Sequence, residues 1–64
     1  MLTEQEYKRA DWILAKCQLC QTLTEWETDF VDDLTDRLER YGRYMNLSEK
    51  QWVVLERLAE KASD

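Results

Sequence analysis

The chain has no histidine and no proline, and it has one glycine and two cysteines among its 64 residues. Histidine is the commonest general base of enzymes, and one glycine cannot build a glycine-rich loop around a phosphate. Two cysteines allow one disulfide within the chain, and a zinc site needs four ligands. These absences argue against catalysis, so we expect a protein that is not an enzyme, binds no cofactor and works by binding a partner.

Long apolar runs are missing as well. A membrane-spanning helix needs roughly 18 or more consecutive apolar residues, and no segment of this chain is apolar over that length. The first residues, MLTEQEYKR, are polar from the third onward and hold no apolar core of a secretory signal. We therefore expect a cytoplasmic protein with reduced cysteines and no contact with a membrane.

Hydrophobic residues make up 44% of the chain and charged residues 36%, with a formal net charge of -5. This balance is typical of a folded helical protein and not of a disordered one. The acidic excess argues against direct binding of nucleic acid, which needs clustered lysine and arginine. Because such a short chain buries only about 60% of its unfolded surface, we expect self-association or very good helix packing to support the core.

Three similar segments, LTEQEY, LTEWET and LSEKQW, begin at Leu2, Leu23 and Leu47. Each fits a capping box, in which a Ser or Thr hydroxyl accepts from a backbone N–H while a Glu or Gln three residues later bonds back. The pairs are Thr3 with Glu6, Thr24 with Glu27, and Ser48 with Gln51. The segments share nothing else, so we interpret them as three helix starts, with an internal duplication as the alternative.

Apolar residues at spacings of three and four predict helices over about residues 4–21, 25–41 and 49–61. Gly42 follows the second helix, where a left-handed residue is wanted. With short connections, we predict one domain over residues 1–64, an all-α three-helix bundle that associates as a homodimer. The expected buried stripes are Tyr7, Ala10, Ile13, Leu14, Cys17 and Cys20; then Trp26, Phe30, Val31, Leu34, Leu38 and Tyr41; and then Trp52, Leu55, Leu58, Ala59 and Ala62.

Acidic residues concentrate on the second helix. Between Glu25 and Asp36 there are six acids and no base, whereas the charges before and after this helix cancel. Like charges at helical spacings repel one another, and the helix dipole favours acids only in the first turn. Five of the acids share one face opposite the apolar stripe, and we call them the acidic ridge: Glu25, Asp29, Asp32, Asp33 and Asp36.

Two interpretations of the acidic ridge stay open. It is either a solvated face that keeps a small protein soluble, or a surface that docks on the basic groove of a partner. In its sharpest form the second interpretation is mimicry of a nucleic-acid backbone, which would block a protein that binds DNA or RNA. The helical spacing argues against a calcium site, because a straight helix cannot wrap six or more oxygens around one ion.

The first helix carries a second apolar face. Trp12, Ala15 and Leu19 recur at i, i+3 and i+7, roughly 120° from the main stripe of that helix. Either the helix is central and both other helices cover this face, or the face is exposed and contacts a partner or a second copy. Tryptophan is a favoured anchor in such contacts.

The segment CQLC runs from Cys17 to Cys20. Redox CxxC pairs place the first cysteine at a helix N-terminus, where its pKa falls, but this pair is expected in the last turn of the first helix. We favour core packing for both residues. The alternatives are an all-cysteine zinc site shared between two chains and redox or disulfide chemistry.

The run from Leu23 to Lys61 resembles a pattern found in short uncharacterised phage and prophage proteins. The pattern consists of a Trp-Glu pair, an aromatic residue four positions after that Trp, and a Leu-Ser-x-Lys-Gln segment before a helix. The matching residues are Trp26 and Glu27, Phe30, and Leu47, Ser48, Lys50 and Gln51. The resemblance covers about two thirds of the chain. It implies a mobile-element origin and carries no catalytic residues.

Small acidic phage proteins often inhibit host machinery, and anti-CRISPR proteins are among them. The sequence therefore favours a protein that inhibits or modulates a host or phage protein with a basic surface, such as a CRISPR effector, through the acidic ridge. The alternative is a structural or regulatory homodimer module of a phage replication assembly, with zinc held by Cys17 and Cys20 of two chains.

Overall fold

The computed structural model describes residues 1–62, which form three α-helices and no strand. The helices are α1 (Glu4–Gln18), α2 (Glu25–Tyr41) and α3 (Glu49–Ala62), and a 3-10 turn, Gly42–Tyr44, follows α2. The prediction of an all-α fold with three helices is confirmed. Helix α1 ends three residues earlier than expected, because the chain leaves the helix at Leu19 to reach the cap of α2.

All three capping boxes are formed. The Thr3 hydroxyl accepts from the Glu6 N–H at 3.1 Å, and the Thr3 N–H donates to Glu6 Oε1 at 2.9 Å. The boxes at Thr24 and Ser48 have the same two bonds, at distances between 2.8 and 3.2 Å. The three similar segments are therefore helix starts. Losing the side chain of one such cap costs about 0.5–2 kcal/mol.

Helix α1 is central, since it packs against both α2 and α3. Helix α2 runs antiparallel to α1. The residues after its end lie beside the start of α1, where the Leu2 N–H donates to the Arg43 carbonyl at 2.7 Å. Helix α3 runs parallel to α1, with Arg9 of α1 paired to Glu56 of α3 at 2.7 Å. At the far end, Lys61 near the end of α3 reaches Glu27 at the start of α2.

The core fills the space between α1 and the two outer helices. Its largest fully buried side chains are Ile13, Leu34, Leu55, Leu58 and Cys17. The complete set of buried apolar residues is Leu2, Ala10, Ile13, Leu14, Cys17, Val31, Leu34, Leu38, Met45, Leu55, Leu58 and Ala59. Most of these residues belong to the stripes that the spacing predicts.

The prediction of burial is wrong for two residues of α2. Trp26 is 61% exposed and Tyr41 is 56% exposed. Both lie at the ends of the helix and about 20–80° round from Leu34, which is fully buried. Within residues 1–62, α1 is the one helix whose backbone packs closely along α2, so the buried strip of α2 is narrow and holds Val31, Leu34 and Leu38. The ends and edge of the apolar stripe stay outside that contact.

Candidate protein-binding surface

The five side chains of the acidic ridge are all exposed on one side of α2, while Val31, Leu34 and Leu38 on the other side pack into the core. From its first to its last residue the ridge follows about 17 Å of helix. The expected placement of Glu25, Asp29, Asp32, Asp33 and Asp36 on a solvent-facing surface therefore agrees with the fold.

The ridge is electrically uneven along its length. Arg37 Nε lies 3.2 Å from Asp33 Oδ2, and Arg40 Nε lies 3.2 Å from Asp36 Oδ2. Such exposed i,i+4 pairs contribute only about 0.3–0.5 kcal/mol each, but they neutralise the C-terminal half of the ridge. Sequence reasoning missed both pairs because it counted bases only as far as Asp36, although the i,i+4 spacing was readable.

The N-terminal half of the ridge keeps its negative charge. Within residues 1–62, no side-chain ion pair reaches Glu25, Asp29 or Asp32. The exposed ring of Trp26 stands in the same turns and stacks on Phe30, with ring centroids 5.5 Å apart and planes inclined by 17°. At about 100° per residue Trp26 lies about 60° round the helix from Asp29, so a protein cation near Asp29 is also close to an aromatic ring, which attracts lysine and arginine.

The sixth acid of α2, Glu27, has a structural role and lies off the ridge. Its Oε1 accepts from the Thr24 N–H at 2.8 Å and from Lys61 Nζ at 2.7 Å. The hydrogen bond from Lys61, followed by that from the Thr24 backbone, holds the pKa of Glu27 below its ordinary value. This carboxylate therefore joins the start of α2 to the end of α3.

A groove of about 520 Å³ lies at the C-terminal end of α2. It contains both ion pairs of the ridge, so its two acids and two bases cancel. Tyr41 and Tyr44 add two exposed rings, at 56% and 78% exposure. The lining residues are Asp33, Asp36, Arg37, Arg40, Tyr41, Tyr44, Met45 and Asn46. This groove is polar and neutral, and it differs in kind from the charged N-terminal half of the ridge.

The second apolar face of α1 is exposed, although α1 is the central helix. Trp12 is 44% exposed, Leu19 is 81% exposed, and Ala15 is also exposed. The guanidinium carbon of Arg9 lies 5.3 Å from the Trp12 ring centroid, and Lys16 Nζ lies 5.8 Å from it. Of the two interpretations of this face, coverage by both other helices is wrong.

Arg9 also ties α1 to α3. Its Nε and Nη2 donate to the two carboxylate oxygens of Glu56 at 3.1 and 2.7 Å, a bidentate arrangement. The hydrogen bond from Arg9 lowers the pKa of Glu56. The pair lies at the surface, with both side chains about half exposed. It fixes the register in which α1 and α3 lie side by side.

The two cysteines lie in different environments, and both thiols are free. Cys17 is 2% exposed in the core, and burial raises the pKa of its thiol. Cys20 lies beyond α1 and not in its last turn, so that expectation is wrong. Its thiol is 3.2 Å from the Thr22 hydroxyl, which lowers the pKa of Cys20. A zinc ion shared between two chains would require Cys17 to leave the core.

The part of the chain that the structure describes holds no group of three or more histidine, cysteine, aspartate or glutamate side chains able to bind a metal. It also holds no helix that is both long and apolar enough to cross a bilayer. No protein-family model, no curated protein and no solved structure matches the chain.

Proposed function

We propose that this protein is a non-catalytic binding protein whose acidic ridge docks on a basic surface of another protein. The observation that carries the proposal is that Glu25, Asp29 and Asp32 are exposed and make no side-chain ion pair within residues 1–62, while the exposed Trp26 lies on the same two turns. These four residues offer both charge and an aromatic anchor in little more than two helical turns.

The distribution of charge supports the same proposal. The formal net charge of -5 arises entirely from the α2 segment, since the charges of residues 1–21 and 42–64 cancel. A molecule with its charge on one side is oriented by the field of a basic partner before contact, which raises the association rate and favours one docking face. Trp26 then supplies the short-range contact that the charges alone lack.

The resemblance to phage proteins suggests which partner to expect. We propose a cytoplasmic host or phage protein whose basic groove holds nucleic acid, because a row of carboxylates competes for the same lysine and arginine side chains that bind phosphates. Inhibition of a defence complex such as a CRISPR effector is the most specific form of this prediction. The protein itself would not bind nucleic acid.

We also propose that the protein forms a homodimer through the exposed apolar face of α1, which holds Trp12, Ala15 and Leu19. Exposed apolar side chains of this size commonly mark an interface. The face belongs to a different helix from the acidic ridge, so a dimer leaves the ridge open to a partner.

The function is tested with three variants of the acidic ridge. Reversing the three unpaired acids (Glu25→Lys, Asp29→Lys and Asp32→Lys) should weaken partner binding about 100-fold or more, because like charges face each other across the interface. Neutralising the paired acids (Asp33→Asn and Asp36→Asn) should weaken it far less. Extending the reversal to Asp36→Lys should complete the loss.

The assay starts with affinity capture from a bacterial lysate on immobilised wild-type protein, with identification by mass spectrometry and measurement of Kd for the purified partner. Circular dichroism verifies that each variant keeps its helices. Equal binding by the wild type and the charge-reversed variant would show that the ridge is only a solvated face.

A further inference from the structure

The outer sides of α1 and α3 form one continuous surface, which we call the α1–α3 face. Its exposed or partly exposed apolar members are Trp12 on α1 and Trp52 and Val53 on α3. Three shallow grooves of about 210, 300 and 360 Å³ adjoin along it and share Arg9, Trp52 or Glu56 as lining residues. The surface therefore extends well beyond the second apolar face of α1.

Charges on this surface are sorted by helix. At about 100° per residue, the three bases of α1 lie within about 60° of Trp12, and the three acids of α3 lie within about 40° of Glu56. The acids of α1 and the bases of α3 lie farther round, at about 80° or more from those two residues, and Glu4, the nearest of these acids, pairs with Lys8 at 3.4 Å. The sorted residues, all exposed, are Lys8, Arg9 and Lys16 on α1, and Glu49, Glu56 and Glu60 on α3.

We propose that the α1–α3 face binds a second copy of this chain about a two-fold axis parallel to the helices, so that α1 of each copy lies against α3 of the other. The inference rests on the proposed homodimer and names its interface. Under this symmetry the basic edge of α1 meets the acidic edge of α3 twice. No other pairing of the two helices across a two-fold axis joins opposite charges, since α1 on α1 is basic on basic and α3 on α3 is acidic on acidic.

The Arg9–Glu56 pair fixes the register of the proposed contact. Arg9 pairs with Glu56, and Trp12 and Ala59 line one groove with them, so Trp12 lies near the height of Ala59 on α3. A two-fold axis parallel to the helices preserves height, so Trp12 of one copy enters the groove of the other that Arg9, Trp12, Glu56, Ala59 and Glu60 line. In the same register Lys16 comes within about one helical turn of Glu60 of the other copy.

The required area explains why both helices must take part. A stable dimer buries about 800 Å² on each partner, which is about one sixth of the 4765 Å² surface of this chain. The three side chains Trp12, Ala15 and Leu19 cannot supply this area alone. In the proposed arrangement Leu19 lies past the end of α3 and Ala15 lies at the rim, so Trp12 is the anchor. The two α2 helices, which carry the net charge, face outward on opposite sides.

A charge-swap experiment tests the arrangement. The α1-swapped variant makes α1 acidic (Lys8→Glu and Lys16→Glu). The α3-swapped variant makes α3 basic (Glu49→Lys and Glu60→Lys). All four changes avoid the Arg9–Glu56 ion pair, and Lys8→Glu also breaks the exposed i,i+4 pair in which Lys8 Nζ lies 3.4 Å from Glu4 Oε1. Each variant alone should dimerise at least about tenfold more weakly than the wild type, because both of its contacts become repulsive. Their equimolar mixture should restore affinity to within about threefold, since both contacts are attractive again.

Matched tryptophan variants test the anchor. Trp12→Ala should weaken the dimer about thirtyfold, as truncation of an interface hot spot does, whereas Trp26→Ala on α2 should leave it unchanged. Sedimentation equilibrium gives the dissociation constants, and native mass spectrometry identifies the mixed dimer. The charge-reversed ridge variant Asp29→Lys, Asp32→Lys should dimerise like the wild type.

Three results would overturn the inference. A wild-type chain that stays monomeric up to about 1 mM refutes the homodimer and its interface together. A Kd of about 1 mM corresponds to a binding free energy of only about 4 kcal/mol. A dimer whose α3-swapped variant associates normally refutes the arrangement alone. So does an α1-swapped variant that binds the wild type as tightly as it binds the α3-swapped variant, since these two partners share the same α1 and equal binding indicates α1 against α1. None of these results bears on ridge binding, which the other variants measure.

Discussion

The sharpest prediction from the fold concerns Gly42, the residue that ends α2. Its backbone has φ +57° and ψ −131°, and its N–H donates to the Leu38 carbonyl. Side chains of L-amino acids rarely adopt this region, and holding one there costs about 1–3 kcal/mol. The mirror image of this conformation is the extended polyproline II region, so a D-amino acid adopts it without strain.

The surroundings of Gly42 separate backbone strain from crowding. A Cβ atom placed on this residue meets nothing within 4 Å. Gly42→Ala should therefore destabilise the protein by about 1–3 kcal/mol through the backbone alone. D-alanine at the same position should stabilise it by about 0.4–1 kcal/mol, because it restricts the unfolded chain and fits the folded one. Against a total stability of about 3–10 kcal/mol for a chain of this length, the difference between the enantiomers is large.

Chemical synthesis can deliver both enantiomers in a chain of this size, with ligation at Cys20. Urea unfolding followed by the helical circular dichroism signal gives the free energy of unfolding, and an unchanged m value confirms that the same surface is exposed. If both enantiomers destabilise the protein equally, crowding and not backbone conformation governs the position. If Gly42→Ala costs less than about 0.5 kcal/mol, the turn after α2 relaxes freely and the reasoning fails.

Two further predictions follow from the pKa shifts. Glu27→Gln keeps the capping acceptor but removes the charge that faces Lys61, so the melting temperature should fall at pH 7. The folded state lowers the pKa of Glu27 below its ordinary 4.5, so the difference in melting temperature between wild type and Glu27→Gln should shrink as the pH falls through the folded pKa. An equal difference at pH 7 and pH 3 would contradict this prediction. Cys20 should react with an aromatic disulfide reagent at least about tenfold faster than Cys17. The variant Cys17→Ser reports the rate of Cys20, and Cys20→Ser reports the rate of Cys17. Similar rates in the folded protein would contradict the assigned environments.

The helices were readable from the sequence because their starts are encoded locally. A capping box involves residues only three positions apart, so Thr3, Thr24 and Ser48 each identify a helix start without any knowledge of the rest of the chain. The end of α1 is encoded less well. No glycine or proline lies between Gln18 and the start of α2 at Glu25, so the end of α1 depends on the room that the connection to α2 requires.

The exposure of Trp26 and Tyr41 could not be read from periodicity. Spacing tells which residues share a side of a helix, but the width of the covered strip depends on how many neighbours pack against it. In the described part of the chain, one helix, α1, packs along the length of α2. The apolar stripe of α2 is wide enough to contact two helices. The links from Arg9 to Glu56 and from Lys61 to Glu27 depend on the register between α1, α2 and α3, which no local pattern specifies.

The carboxylate of Glu27 links two distant parts of the chain, the start of α2 and the end of α3. Fraying at the last turn of α3 would withdraw Lys61, and the first turn of α2 would then lose a bond made by a residue 34 positions later in the chain. Helix ends are ordinarily among the parts of a protein that open at the lowest free energy. Here the last turn of α3 and the first turn of α2 share one acceptor, Glu27 Oε1. Fraying of α3 would therefore weaken the first turn of the helix that carries the acidic ridge.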